Sequence, residues 1–262
     1  MNLRAMTKFL CLITTFYVLF NLSACGLAET KPEKWSVNRL YQEAKESFDV
    51  GDYATAIKYY EILEARFPFE KYAQQAHLNL IYSYYKYDEP ESAIIAADRF
   101  IKLYPRHKNV DYVYYLKGIV NFERNQGALD RILPIDRSQR DQSAALHSFQ
   151  YFAELVTRFP NSKYSKDARQ RMIHLRNRLA EHELHITRFY LKRGAYVAAA
   201  NRARNVISSY QGTPAVSEAL ALLAKAYKIM GLNDLSASTL KVLKLNYPEH
   251  EKIAEVENLV VK

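Results

Sequence analysis

Apolar positions along the chain fall into three regimes. From Phe9 to Phe20 an unbroken run of 12 residues carries no charge. Residues 26 to about 35, Gly-Leu-Ala-Glu-Thr-Lys-Pro-Glu-Lys-Trp, show no periodicity and read as a short tether. Beyond them, segments of helical periodicity follow one another, and the aromatic-Pro pairs Phe67-Pro68, Tyr104-Pro105, Phe159-Pro160 and Tyr247-Pro248 each close one.

This punctuation keeps a fixed ruler. Pro68 and Pro105 are 37 residues apart. Turn glycines stand at Gly51-Asp52-Tyr53, Gly194-Ala195-Tyr196 and Gly231-Leu232-Asn233; Pro68 lies 17 residues past Gly51, and Pro248 lies 17 past Gly231. The same 17 from Gly194 leads to Gln211, between Tyr210 and Gly212, and from Gln211 to Pro248 is again 37. A Gly can take the left-handed conformation that caps a first helix. A second helix of about 14 residues then runs to the Pro, which cannot continue it. Small residues such as Ala56, Ala93 and Ala199 let the two helices of a pair approach closely. The spacing matches a slightly stretched tetratricopeptide unit of about 34 residues. It predicts an all-α fold, a tetratricopeptide-like helix-pair solenoid of about five repeats, at about 36–69, 72–106, 109–160, 165–211 and 214–248.

Two repeats depart from standard length. In the third, Asn125 to Asp141 interrupts the helices with apolar Leu129, Ile132, Leu133 and Ile135 set among charges; a loop this long in a repeat protein is often functional. In the fourth, Lys166 to Arg193 contains neither Gly nor Pro, so at 1.5 Å per residue one helix of about 42 Å is expected, protruding from the stack or bridging its halves. Glu251 to Lys262 read as a short capping helix.

Composition agrees with helices. Apolar residues make up 49%, enough for a substantial core, and Gly is scarce at 7 while Tyr is abundant at 21. Trp appears once.

The uncharged run follows Arg4 and Lys8. At 12 residues it is too short to span a hydrocarbon core of about 30 Å, and it fits the apolar region of a secretory signal peptide. Leu22-Ser23-Ala24-Cys25-Gly26 then resembles the lipobox of bacterial lipoproteins. By that resemblance residues 1–24 are removed, Cys25 carries the lipid, and Gly26 rather than Asp after the Cys suggests the outer membrane. Acyl chains at Cys25 would hold firmly, at about 0.8 kcal/mol per buried methylene. The remaining cysteine, Cys11, leaves with the leader, so neither a disulfide nor a free thiol is expected in the mature chain. Loss of Arg4 and Lys8 takes the formal charge from +9 to +7, which suits anionic headgroups, an acidic protein, or simply a well-solvated basic surface.

Enzymatic constellations are missing. The glycines are too scattered for a phosphate-cradling loop, and there is no Gly-x-Ser-x-Gly elbow. His182 and His185 sit three apart beside Glu181 and Glu183. They lack the His-Glu-x-x-His pattern, and His174 lies too far along the helix to complete a site, so satisfied or solvated histidines are expected rather than a metal. No catalytic residue, cofactor or metal is expected.

Binding surfaces are the remaining chemistry. The first helix of repeat two reads Gln74 to Tyr87 and that of repeat three Asp111 to Gly118, with tyrosines on every side; some must pack and some must face out. Outward Tyr with Lys suits an extended peptide with an aromatic, carboxylate-bearing end. The long helix of repeat four carries Arg169, Arg171, Arg176, Arg178, Arg188, Lys192 and Arg193, followed by Arg202 and Arg204. That basic face could meet an acidic partner or be solvated.

Several segments are more specific than a generic repeat. They include Arg66-Phe67-Pro68-Phe69, Leu80-Ile81-Tyr82-Ser83-Tyr84-Tyr85-Lys86, Asp98-Arg99-Phe100-Ile101, Asp111-Tyr112-Val113 with Gly118, Asp136-Arg137-Ser138-Gln139-Arg140-Asp141, Phe159-Pro160-Asn161-Ser162-Lys163-Tyr164, and Arg193-Gly194-Ala195-Tyr196-Val197-Ala198-Ala199 with Asn201-Arg202. Through them, essentially the whole mature chain resembles the BamD family of outer-membrane assembly lipoproteins, also called YfiO or ComL. Gln211 departs from it, since many relatives have Pro there, which puts the end of repeat four in question.

The resemblance implies a non-enzymatic, lipid-anchored scaffold on the periplasmic face of the outer membrane, within the barrel-assembly machinery. Its partners would be a BamA-like barrel protein, other Bam lipoproteins, unfolded outer-membrane β-barrel proteins, and outer-membrane lipid through the acyl anchor; no nucleic acid is expected. Repeats one and two (36–106) would carry the substrate groove, with Tyr82, Tyr85 and Tyr112 as groove candidates. The segment 107–262, with the insertion 125–141 and the capping helix, would bind the barrel partner through Arg202 and Arg193 and through Asp136, Arg137 and Arg140. The alternative is a competence or cell-wall lipoprotein that binds DNA or peptidoglycan.

Overall fold

The computed structural model describes residues 31–124, 138 and 142–260. Cys25, Asp136, Arg137 and Arg140 therefore lie outside the described residues. Eleven α-helices and no strand occur among the described residues. A 3-10 turn, Pro32–Lys34, precedes them. The helices are α1 (Val37–Asp49), α2 (Tyr53–Arg66), α3 (Ala73–Lys86), α4 (Pro90–Leu103), α5 (Val110–Glu123), α6 (Ser143–Arg158), α7 (Ser165–Lys192), α8 (Tyr196–Ser209), α9 (Ala215–Ile229), α10 (Asn233–Asn246) and α11 (Lys252–Glu257). Ten of them form five successive helix pairs at the five expected repeats, and α11 stands where the cap was expected. Packing divides the chain into two units, meeting between Ala76 and His77 within α3.

The punctuation acts as its physics requires. Gly51, Gly194 and Gly231 close the first helix of their pairs with φ of 84°, 75° and 74°. In the second pair no Gly is present, and Asp88 takes the left-handed turn at φ 62°. Asp is among the few non-glycine residues that tolerate this region. Asp88 lies 37 residues past Gly51 and 17 before Pro105, so the ruler holds where the glycine is missing. At the other end of each pair, Phe67, Tyr104, Phe159 and Tyr247 terminate helices ahead of their prolines. Tyr210 does the same ahead of Gln211, with its N–H donating to the Val206 carbonyl, so repeat four ends in register without its Pro.

In the first unit, α1 and α2 form a hairpin. Ser36 caps α1 by accepting from the Arg39 N–H, and Asp52 caps α2 by accepting from the Thr55 N–H. Leu40, Ala44, Ala56, Tyr60 and Leu63 are fully buried in it. Trp35 closes its open end at 3% exposure, 5.3 Å from the Tyr59 ring and beneath the Arg39 guanidinium.

The second unit holds two main kinds of core. One is aromatic and aliphatic, built around Ile81, Phe100, Val113, Phe152, Leu155 and Leu175 and ending at Leu179. Here Gly118 on α5 lets α6 approach so closely that an added Cβ would lie 2.3 Å from the Phe152 ring, and Ser148 donates to the Gly118 carbonyl at 2.9 Å. The other begins at the next residue, Ala180, and is made of small side chains, with Ala215 and Ala219 against Leu184 and Val206. Ala200, Ala203 and Ala226 extend this Ala-rich packing around Leu223. Helix α7, 28 residues long, thus joins both cores and bridges the halves of this unit.

Candidate functional site

Two surfaces of the second unit carry the candidate residues. The first is aromatic. Tyr82 and Tyr85 occupy adjacent turns of α3 and meet edge to face at 5.8 Å, with the Lys86 ammonium 5.6 and 5.0 Å from their ring centres. On α5, Tyr112 packs 5.5 Å from Tyr164, and Tyr115 stacks on the same ring at 4.8 Å. All five tyrosines are partly buried against the aromatic core. Each ring therefore has part of its surface committed to packing.

Two of their hydroxyls are placed by carboxylates. Tyr85 donates to Glu123 at 2.6 Å, and Tyr115 donates to Asp167 at 2.7 Å while Arg171 holds that carboxylate from the other side at 2.6 Å. Burial, then the hydrogen bond to Glu123, pushes the Tyr85 phenol well above its usual value. Burial and the neighbouring rings do the same to Tyr112. Tyr115 is pushed up to about 12 by burial and by its bond to Asp167. Beside Tyr85 and Lys86 opens a cavity of about 300 Å³, lined also by Asp88, Val120, Glu123 and Arg124. The surface offers aromatic rings with both signs of charge at one end.

The second surface is ionic and lies along the later turns of α7. Arg202, on α8, donates to the Glu183 carboxylate at 3.1 and 3.2 Å. Its side chain remains 44% exposed, whereas Glu183 is 14% exposed. Glu183 thus holds the guanidinium in place while much of it faces solvent. Arg193 caps α7 and lies 5.4 Å from the ring of Phe189, which is itself 52% exposed. Arg188 joins Glu181 at 2.9 Å to Glu218 of α9 at 3.4 Å, and Glu218 also pairs with Lys252 and, at 3.9 Å, with His250. Much of the basic stretch read from the sequence is thus engaged within the chain.

His182 and His185 have a specific task. The His182 Nδ1–H donates to the Ser138 carbonyl at 2.6 Å, and His185 Nε2 bonds the Ser138 hydroxyl at 2.8 Å. Ser138 belongs to the Asp-Arg-Ser-x-Arg-Asp stretch, and this one residue is held on α7 beside Glu183, the partner of Arg202. No group of metal-ligating residues occurs among the described residues. Nothing in the sequence pointed to Ser138 as the partner of the two histidines, because 44 and 47 residues separate them. No helix among the described residues is long and apolar enough to cross a membrane.

Comparison with known proteins adds a family. The YfiO family model, described as outer membrane lipoprotein, matches residues 33–243. A protein of Neisseria meningitidis serogroup B named outer membrane protein assembly factor BamD is 47% identical over 234 residues, covering 87% of this chain and 88% of its own. The protein of that name from Pasteurella multocida is 37% identical over 262 residues, covering 98% and 99%. That from Haemophilus influenzae is 36% identical over 222 residues, covering 85% of each. Among solved structures, the MamA protein covers 86% of this chain and 98% of its own at 17% identity, with a TM-score of 0.34.

Proposed function

The chain belongs to the YfiO family of outer membrane lipoproteins, and from that premise we propose that it is an assembly factor for outer-membrane β-barrel proteins. In this reading it performs no catalysis. It is tethered through acylated Cys25 to the periplasmic face of the outer membrane, where it holds unfolded barrel segments and a BamA-like barrel protein near one another alongside other Bam lipoproteins. The observation that carries it is the aromatic ledge of Tyr82, Tyr85 and Tyr112 with Lys86 at its edge. Barrel strands alternate apolar and polar side chains and are rich in aromatics. Half-buried ring edges can receive such side chains in varied sequence contexts, and Lys86 and Arg124 by the neighbouring cavity can receive a terminal carboxylate.

Arg202 and Arg193 with Phe189 form the surface proposed for the barrel partner, and the anchoring of Ser138 supports a place for Asp136, Arg137 and Arg140 in the same contact. A partner carboxylate would share the Arg202 guanidinium with Glu183. The test is a mild-detergent pull-down of the tagged protein from its native envelope. Co-recovery of a large barrel protein with periplasmic repeats, in near-equal amount, is the expected result. Recovery of DNA or peptidoglycan fragments with no such barrel would sink the proposal.

A further inference from the structure

The α1–α2 hairpin has two unlike ends. At the Gly51 turn stand exposed Glu46, Asp49 and Asp52, and Lys45 is tied to Asp49. About 20 Å away along the helices is the open end, where the chain enters. There Lys31, Lys34, Arg39, Arg66 and Lys71 are all exposed, interspersed with Glu33, Glu70, an Arg39-paired Glu43 and, on the last turns of α2, Glu61 and Glu64. The loop leaving α2 belongs to this end, since Arg66 donates to the Trp35 carbonyl at 3.0 Å and Tyr72 stacks on Tyr41 at 4.3 Å. On that loop Phe69 projects at 96% exposure. A fully exposed Phe flanked by Arg66 and Lys71 contributes nothing to the hairpin's own stability.

Chain length says what this end meets. Lys31 lies six residues past Cys25, a reach of about 20 Å when fully extended. We propose that the open end of the α1–α2 hairpin is a membrane-contacting surface, with Phe69 entering the headgroup region of an anionic phospholipid leaflet and the surrounding Lys and Arg side chains meeting its phosphates. The acidic turn then points away from the leaflet. An anchor alone fixes distance, whereas this second contact fixes which way the hairpin stands. The orientation rests on the reading of Cys25 as the acylated residue; the surface itself can be tested without it.

The mature chain, residues 25–262 with Cys25→Ser, is mixed with phosphatidylcholine vesicles with and without phosphatidylglycerol, and binding is read by co-sedimentation. Trp35, the only tryptophan in the chain, lies at the proposed contact and reports it through quenching by brominated lipid. Binding is expected only with phosphatidylglycerol, weakening as salt rises. Phe69→Ser should lower it at least tenfold, and Lys71→Glu at least fivefold. Val50→Ser, an exposed apolar residue beside the acidic turn, should leave it unchanged. No binding by the folded protein at low salt, or binding that Phe69→Ser and Lys71→Glu leave intact, overturns the proposal. Labelled palmitate on the native chain tests Cys25 separately: vesicle binding by the Ser variant with no palmitate on the native chain would uphold the surface and remove the anchor.

Discussion

The two cores that meet on α7 are filled by different kinds of side chain. Up to Leu179 the core is filled by rings and large aliphatics, and its surface is a set of tyrosine edges. From Ala180 onward it is filled by alanines packed against leucines and Val206, with no buried ring among the described residues, and its surface is a run of ion pairs. Rings packed on one face keep their position without a partner, so the aromatic side is shaped before a ligand arrives. Ion pairs that are partly exposed are screened by salt and can exchange one carboxylate for another. Under the proposed function, the contrast would suit a fixed ledge for many substrates on one side and an exchangeable contact for one partner on the other.

Arg202→Glu should break the ionic side most. It sets two carboxylates together with Glu183 and removes the exposed guanidinium. Binding to the barrel partner is expected to fall about 100-fold, with helix content by circular dichroism retained; wild-type binding by a folded variant would refute the role given to Arg202. Gly118→Ala tests the aromatic side. The new methyl meets the Phe152 ring, and thermal unfolding should show a loss of about 2 kcal/mol. Glu218→Ala removes the shared partner of Arg188 and Lys252, and about 1.5 kcal/mol should go with it, less in high salt. Equal loss in low and high salt would mean that these pairs do not hold α9 and α11 in place.

The smallest effect is confined to alkaline solution. In the unfolded chain Tyr115 deprotonates near its ordinary 10.0, but in the fold only at about 12. The stability this contributes is therefore complete below pH 10 and is lost as pH rises toward 12. Tyr85 and Tyr112 are shifted in the same direction. The difference in tyrosinate absorbance between the wild-type chain and Tyr115→Phe should appear only as pH rises toward 12; a difference that appears near pH 10 in the folded protein would mean this ring is not held as described.

Much of the helix pairing was legible because it depends on residues with one physical meaning. Gly51, Gly194 and Gly231 mark left-handed turns, and the prolines mark helix ends. Asp88 was not legible, since Asp adopts that turn only where its surroundings impose it. The tyrosines of α3 and α5 were ambiguous because they surround their helices, and only packing decides which face a ring takes. Glu183, Glu218 and Ser138 were hidden for another reason: Glu218 and Ser138 meet partners outside their own repeats, Glu183 meets Arg202 across a helix pair 19 residues on, and no local spacing encodes such contacts.

Helix α7 also sets a phase. Asp167 and Arg171, in its first turns, face Tyr115, while His182, His185 and Arg188 face Ser138 and Glu218 from its later turns. At 3.6 residues per turn, one residue inserted between them rotates everything downstream by about 100°. Seven inserted residues return the faces to within about 20° but displace them by about 10 Å. The two surfaces are therefore keyed to each other like cams on one shaft, and the length of α7 is as much a part of the interface as any side chain on it.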